Sequence, residues 1–236
     1  MDILVDYNNI PDSDRRKGAA FVLDKIVDAF APQHLSSDNR VTFRLYDGWY
    51  EAQRLTHEAQ QIAVDLLKDY PTTRTVKVAG QNRTVLINAE LAYSLKLAPS
   101  KHLFYTYRQR QTPGNVKCRH PSDFGCNSPH CTLLPIFRLF TTGTCPEPGC
   151  SFRLSDVLYR SEQKLVDTMM VTDLLYLAFS KTPALAIVSS DDDMWPAILA
   201  ATQMGVKVVQ IHTRPGRSTP TYYCKGLGSR YAQLTL

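Results

Sequence analysis

The chain has 236 residues, 44% of them hydrophobic and 21% charged, with a formal net charge of +5. That length carries one large α/β domain, or one domain with an insertion, and no apolar run approaches the ~20 residues needed to span a bilayer, which argues against a membrane partner. The opening MDILVDYNNI has an acid at position 2 and no basic n-region, so no secretory signal is expected and the six cysteines are read in the reducing setting of a cytoplasmic protein.

In chain order, Ile3-Leu4-Val5 is a short apolar run that predicts a buried strand, ending in Asp6-Tyr7-Asn8-Asn9. Apolar residues at helical spacing from Lys17 to Phe30 predict a helix stopped by Pro32. Val41 to Tyr46 alternates and is β-rich, a second strand closed by Asp47-Gly48, whose glycine suits a turn. Ala52 to Tyr70 reads as a second helix, closed by Pro71. Strand, helix, strand, helix predicts a parallel sheet with crossovers.

The alternation then lapses. Thr75–Val78 and Thr84–Ile87 flank Gly80-Gln81-Asn82 as a hairpin would, Leu103–Arg108 is aromatic and β-like, and residues 112–153 are rich in Cys, Pro, Gly and Ser. Residues 71–154 are therefore assigned to an insertion, and residues 1–70 and 155–236 to the parent domain. The pattern resumes with a helical region through Leu177, a buried strand at Ala184–Ser189, a helix from Trp195 to Met204 with Gly205 as its C-cap, and a strand at Val206–Ile211. The tail from Pro215 reads as loop with one short edge element.

Two of these strands end in carboxylates. The second, ALAIV, runs into Ser189-Ser190-Asp191-Asp192-Asp193. Carboxyl ends of strands are where open α/β sheets bind ligands, and adjacent aspartates repel one another unless a cation or basic groups offset them. Taken alone, that stretch reads equally as a solvated turn with an N-cap aspartate. Beside Asp6, and beside Asp167 on a helix able to lean over the strand ends, it reads as a magnesium or manganese site, which needs hard oxygen ligands with substrate phosphate completing the shell. Asp173 lies six residues after Asp167, roughly 240° around an ideal helix, so the two do not face one small site and Asp167 is the favoured ligand.

These segments together resemble the NYN (LabA-like) branch of the PIN-like nuclease superfamily. The family's opening strand and Asp-x-x-Asn are matched by Asp6 to Asn9. Its Lys-x-Val-Asp helix is matched by Lys164 to Asp167, with Asp173 six residues on. Its strand followed by Ser-x-Asp-x-Asp-Phe-x-Pro is matched by Ser189 to Pro196, with Met194 in place of Phe. The resemblance covers residues 1–70 and 155–212, and the cysteine-bearing insertion is not part of the family's minimal pattern. It implies a PIN-like Rossmannoid three-layer sandwich around a central parallel sheet. It also implies a metal-dependent nuclease, most often acting on RNA, in which Asp6, Asp167, Asp191 and Asp193 hold the catalytic ions. Asn9 would orient Asp6 or contact phosphate, with Ser189, Asp173 and Asp192 in supporting roles.

Five of the six cysteines fall within 33 residues. Cys126 and Cys131 form one Cys-x4-Cys unit, Cys145 and Cys150 a second, and Cys118 and His120 precede both. Paired cysteines suit tetrahedral zinc, at the wide edge of the usual spacing. Cys126, Cys131, Cys145 and Cys150 are the expected ligands, with Cys118 and His120 as alternates. Disulfides or free thiols are the competing reading. Residues 101–160 hold eight Lys/Arg against three acids, which equals the whole net excess and suits a polyanionic partner as well as an ordinary basic surface. Arg108, Arg110 and Arg119, with Arg214 after the last strand, are the candidate nucleic-acid contacts. The expected partner is nucleic acid, RNA first, with room for a protein partner or a second copy of the chain. A catalytically inert nucleic-acid-binding or interaction module on the same fold is the competing function.

Overall fold

Strand β1 (Asp2–Asp6) is apolar on both faces and lies at the middle of a seven-stranded sheet. The computed structural model describes residues 1–30, 34, 39–78, 81–110 and 116–236; Pro32 and Gly80 lie outside the described residues. After β1 come the short helix α1 (Asp12–Arg15), α2 (Ala19–Ala29) and β2 (Arg40–Tyr46). The expected helix from Ala52 begins only at His57. The residues before it form a tight hairpin of β3 (Tyr50–Glu51) and β4 (Arg54–Leu55), and Thr56 caps α3 (His57–Asp69) by accepting the Ala59 N–H.

The expected hairpin is present as β5 (Thr72–Val78) and β6 (Gln81–Leu91), but it belongs to the central sheet. β6 runs parallel to β2, pairing Val41 with Ile87 and Phe43 with Ala89, and buries Val85, Ile87 and Leu91 in the core. This corrects the boundary placed at residue 71: the chain divides into one unit of residues 1–107 with 163–236 and a second of residues 108–162. Burial of the β6 apolar face against α2 and α3 is what ties the hairpin to the sheet.

Strands β7 (Tyr107–Arg110) and β8 (Arg160–Gln163) lead into and out of the second unit, which contains α4 (Leu133–Thr142) and α5 (Leu154–Val157). The first unit resumes with α6 (Val166–Phe179), β9 (Ala184–Val188), α7 (Trp195–Gln203) and β10 (Lys207–His212). It ends with α8 (Thr221–Cys224) and β11 (Tyr231–Thr235). The sheet order is β11-β10-β9-β1-β2-β6-β5, parallel throughout except for β5. Alternation along the strands serves two cores. Ile3, Val5, Phe43 and Leu45 pack with α2 and α3 on one face, while Leu4, Leu185, Ile187 and Val208 pack with α6 and α7 on the other. The result is a helix–sheet–helix sandwich, the α/β class expected. No helix among the described residues is long and apolar enough to cross a membrane.

The second unit is built differently. Pro121 is its only buried side chain among the described residues, and α4 buries none of its residues despite the sequence LLPIFRLF.

Candidate active site at the sheet's reversal point

The chain builds the sheet outward in two directions from β1. β2 and β6 follow on one side, and β9, β10 and β11 on the other. The strand order therefore reverses between β1 and β9, which pair directly, Val5 opposite Val188. The next residues on these strands are Asp6 and Ser189. A crevice at this point of a doubly wound sheet is the general ligand position of such folds.

Asp6 is only 6% exposed. The Asn9 amide donates to its Oδ1 at 3.2 Å and the Ser189 hydroxyl to its Oδ2 at 2.9 Å. Burial nevertheless dominates, and with the fields of Asp167 and Asp191 it pushes the carboxyl up from 3.8 to about 6. Ser189 is fully buried. Its Oγ also accepts the Asp191 amide at 3.1 Å, so one hydroxyl ties Asp6 to the loop that carries the acidic run. Asp191 caps that loop, taking the Asp193 amide on Oδ1 at 3.0 Å. Asp192 points elsewhere: it is exposed and paired with Arg217.

Asp167 stands on the first turn of α6, exposed, its carboxyl raised by partial desolvation and by the charges of Asp191 and Asp193. Asp6, Asp167, Asp191 and Asp193 are thus linked electrostatically. Among the described residues, no three carboxylate, thiol or imidazole groups close on one point as a preformed ion cage, and no side-chain hydrogen bond fixes Asp167 or Asp193. The donors are all hard oxygens, and the repulsion that raises Asp6 and Asp167 is what a divalent cation among them would relieve, so the residues fit magnesium or manganese.

The Asn9 side chain is already committed. Its Oδ1 accepts the Ser190 amide and the Thr213 hydroxyl, while the Ser190 Oγ accepts the amides of Thr213 and Arg214. Asn9 therefore orients Asp6 through its backbone, and its amide group laces together the ends of β1, β9 and β10. The same lacing places Arg214 at the crevice edge, exposed. Arg108 and Arg119 are exposed residues of the second unit, and the Arg110 side chain lies outside the description.

Asp173 occupies another place. It is fully buried, and Lys96 N–H and Tyr46 OH donate to it at 2.7 Å and Arg44 Nε at 3.1 Å. It anchors α6 to β2, which positions Asp167 about one and two-thirds turns earlier. Arg44 is held in turn by Glu90 and the Ser94 carbonyl.

Asp47, read from sequence as a turn residue, is buried at the carboxyl end of β2. Its Oδ1 accepts the Gly48 amide and the Gln163 side chain, and its Oδ2 has no hydrogen-bond partner among the described residues. Burial pushes it up to about 7, with Glu58 and Asp6 adding to the rise and Arg15 opposing it. Gly48 is needed for close approach: a Cβ there would lie 3.0 Å from Tyr107 Cβ and 3.2 Å from the Thr106 carbonyl. A Gly after an Asp signals a turn whether or not the Asp is buried, so the only available signal was the position of Asp47 at the end of a strand adjacent to β1.

In the second unit all six-membered expectations about zinc rest on Cys126 and Cys131, Cys145 and Cys150, and the alternates Cys118 and His120. The Cys131 thiol is lowered by the Leu133 amide and by a contact with the Cys126 thiol, so the first pair is in reach of one ion. Cys145 and Cys150 bracket a turn in which the Cys150 amide donates to Glu147 O, and Cys145 N–H reaches Phe152 O at 2.9 Å. His120 engages Ser122 through Nδ1 and packs edge-on against Phe137. The six cysteines form no disulfide in this structure.

Comparison with protein-family models, with curated proteins and with solved structures finds no match for this chain.

Proposed function

We propose that the chain is a divalent-metal-dependent nuclease that hydrolyses phosphodiester bonds, with RNA as its first substrate. What supports this is the electrostatic linkage at the sheet's reversal point: the charges of Asp167 and Asp191 act on the buried Asp6, and those of Asp191 and Asp193 act on Asp167. The motif order that resembles NYN nucleases supports the same reading. Magnesium or manganese among these carboxylates supplies polarisation of the phosphate and a lowered pKa for an attacking water.

The protein's own groups do the rest. Ser189 and the Asn9 amide fix Asp6 in one rotamer, leaving its outer lone pairs for an ion. Asp167 and Asp193, without side-chain hydrogen bonds of their own, are free to turn inward. Arg214 at the crevice edge offers a cation to a flanking phosphate, and Asp192 is neutralised by Arg217 rather than repelling the substrate. The basic second unit adds an electrostatic attraction for a polyanion.

The test is metal removal. Incubated with labelled single-stranded RNA and DNA, the protein is expected to cut RNA in Mn2+ and to cut nothing in EDTA. Tight binding in Mn2+ with no cleavage of either strand would instead establish the inert nucleic-acid-binding module. For the second unit we propose one structural zinc on Cys126, Cys131, Cys145 and Cys150. A segment with one buried side chain among its described residues has little core of its own to fold on, and metal binding would supply that free energy. Native mass spectrometry is expected to find one zinc per chain, and its removal by chelator to open residues 108–162 to protease while the first unit stays resistant. A zinc-free protein with equal protease resistance would reject the site.

A further inference from the structure

The last acidic side chain of the sequence is Asp193. Residues 194–236 hold Lys207, Arg214, Arg217, Lys225 and Arg230 and no aspartate or glutamate. Tyr222, on α8 in this acid-free stretch, is the most exposed large hydrophobic side chain among the described residues, at 86%. Its ring is the outer end of an aromatic stack. Tyr222 meets Tyr223 edge-on at 5.5 Å between centroids, and the half-exposed Tyr223 meets Trp195 at 5.3 Å. Trp195 is buried and packs edge-on against Tyr231 at 5.4 Å. The stack therefore starts in the core and ends in solvent, and Trp195 is the second residue after Asp193.

The stack is held in place. Thr219, three residues before Tyr222, is buried. It donates its amide to Gln233 Oε1 at 2.9 Å and its hydroxyl to Gln210 Oε1 at 2.8 Å, so α8 hangs from β11 and β10. Arg217 pairs with Asp192, which ties the approach to α8 to the acidic run. The Arg214 amide is fixed on the Ser190 hydroxyl at 3.1 Å. The side chains of Arg214 and Lys225 are exposed and make no ion pair among the described residues. A second copy of the chain is a poor occupant for this patch, because a two-fold interface would set it against itself and bring like charges together. A single strand of nucleic acid matches it, offering flat bases to the rings and phosphates to the cations.

We propose that Tyr222 and Tyr223 form a base-stacking platform for single-stranded nucleic acid, with Arg214 and Lys225 on the flanking phosphates. This rests on the nucleic-acid reading given above and names the form of the substrate. The strand is unpaired, because a ring reaches the face of a base only where that base is unstacked. The platform accepts any base, since every base has a π-face. It needs no metal ion, and it lays the strand beside the acidic crevice on the β10 side.

The experiment is fluorescence anisotropy of the full chain with a labelled RNA single strand of about 12 nucleotides and with the same strand in a duplex. Buffer without added divalent cation separates binding from the proposed cleavage. Tyr222→Ala is expected to weaken the single strand ~5-fold or more and to leave the salt dependence of binding unchanged. Tyr222→Phe keeps the ring and is expected to stay within about twofold of the parent. Arg214→Ala combined with Lys225→Ala is expected to lower the slope of log affinity against log salt by ~1.4, two phosphates at ~0.7 each. A Tyr222→Ala protein with the parent's unfolding midpoint and a single-strand affinity within about twofold of the parent would overturn the proposal. So would an equal loss on the duplex, which presents no free base face. In both cases the parent still binds RNA, and the nucleic-acid reading stands. If the parent binds neither strand nor duplex, with or without Mn2+, that reading fails and the platform with it. A dimer in light scattering that Tyr222→Ala abolishes, with RNA affinity unchanged, would give the patch to a second copy and overturn the proposal.

Discussion

Asp6→Asn is expected to lower the proposed Mn2+-dependent cleavage by at least ~10^3-fold and, in the absence of metal, to make the folded protein more stable above neutral pH. The first half follows from losing a buried oxygen of the ion site, since metal stabilisation of a phosphoryl transition state amounts to several kcal/mol. The second follows from linkage. The folded carboxyl titrates at about 6 against an ordinary value of 3.8. Between those values the native state holds a proton that the unfolded chain has released. The contribution of Asp6 is therefore fully present below about pH 4 and is lost as pH rises through 6. By pH 8 the ionised, desolvated Asp6 costs the native state on the order of 3 kcal/mol, a cost that the neutral amide does not carry. Urea unfolding in EDTA at pH 4 and pH 8 checks this: parent and variant converge at the lower pH and separate at the higher, the variant being the more stable. Saturating Mn2+ reverses the order, because only the parent gains from binding. A parent more stable than Asp6→Asn in EDTA at pH 8 would mean that Asp6 is a structural hydrogen-bond acceptor and nothing more.

Asp173→Ala has the opposite profile, a loss of about 3–5 kcal/mol in unfolding free energy at pH 7. Asp173 accepts from Arg44, Tyr46 and the Lys96 amide in full burial. Its removal leaves a nearly buried guanidinium with only Glu90 and a carbonyl, and strands the buried Tyr46 hydroxyl. Chemical denaturation measures the loss. Asp167→Asn, six residues earlier and exposed, is expected to leave the unfolding free energy within about 0.5 kcal/mol and to remove the proposed cleavage. The pair separates the two aspartates by role: one anchors the helix, the other faces the crevice. Equal loss of stability in both variants would show that α6 is seated differently.

What could be read from the residues alone was whatever depends on local runs. Ile3-Leu4-Val5 and Ala184 to Val188 are too apolar for any place but a covered sheet, and each ends in residues that only a strand's carboxyl end can present to solvent. The alternation of β5 and β6 announced a hairpin but not its address, because β6 finds its partner β2 46 residues away in sequence, with Val41 opposite Ile87. Asp173 shows the same barrier. Its spacing from Asp167 excluded it from the crevice, but its three donors come from 77 to 129 residues away, and nothing near it in sequence announces them. Asp47 was hidden by its own neighbour, since an Asp-Gly pair is the usual mark of an exposed turn. Its side-chain donor Gln163 lies 116 residues on.

The pairing of β1 with β9 has a consequence for the order in which this protein comes into being. Residues 2–5 lie against residues 185–188, so the strand carrying Asp6 waits for most of the chain to be synthesised before it acquires the neighbour on which the acidic centre is built. Long-range closure of this kind is slow relative to local hairpins and helices. A growing chain therefore holds Asp6 in isolation, and any fragment that stops short of Val188 lacks the crevice altogether.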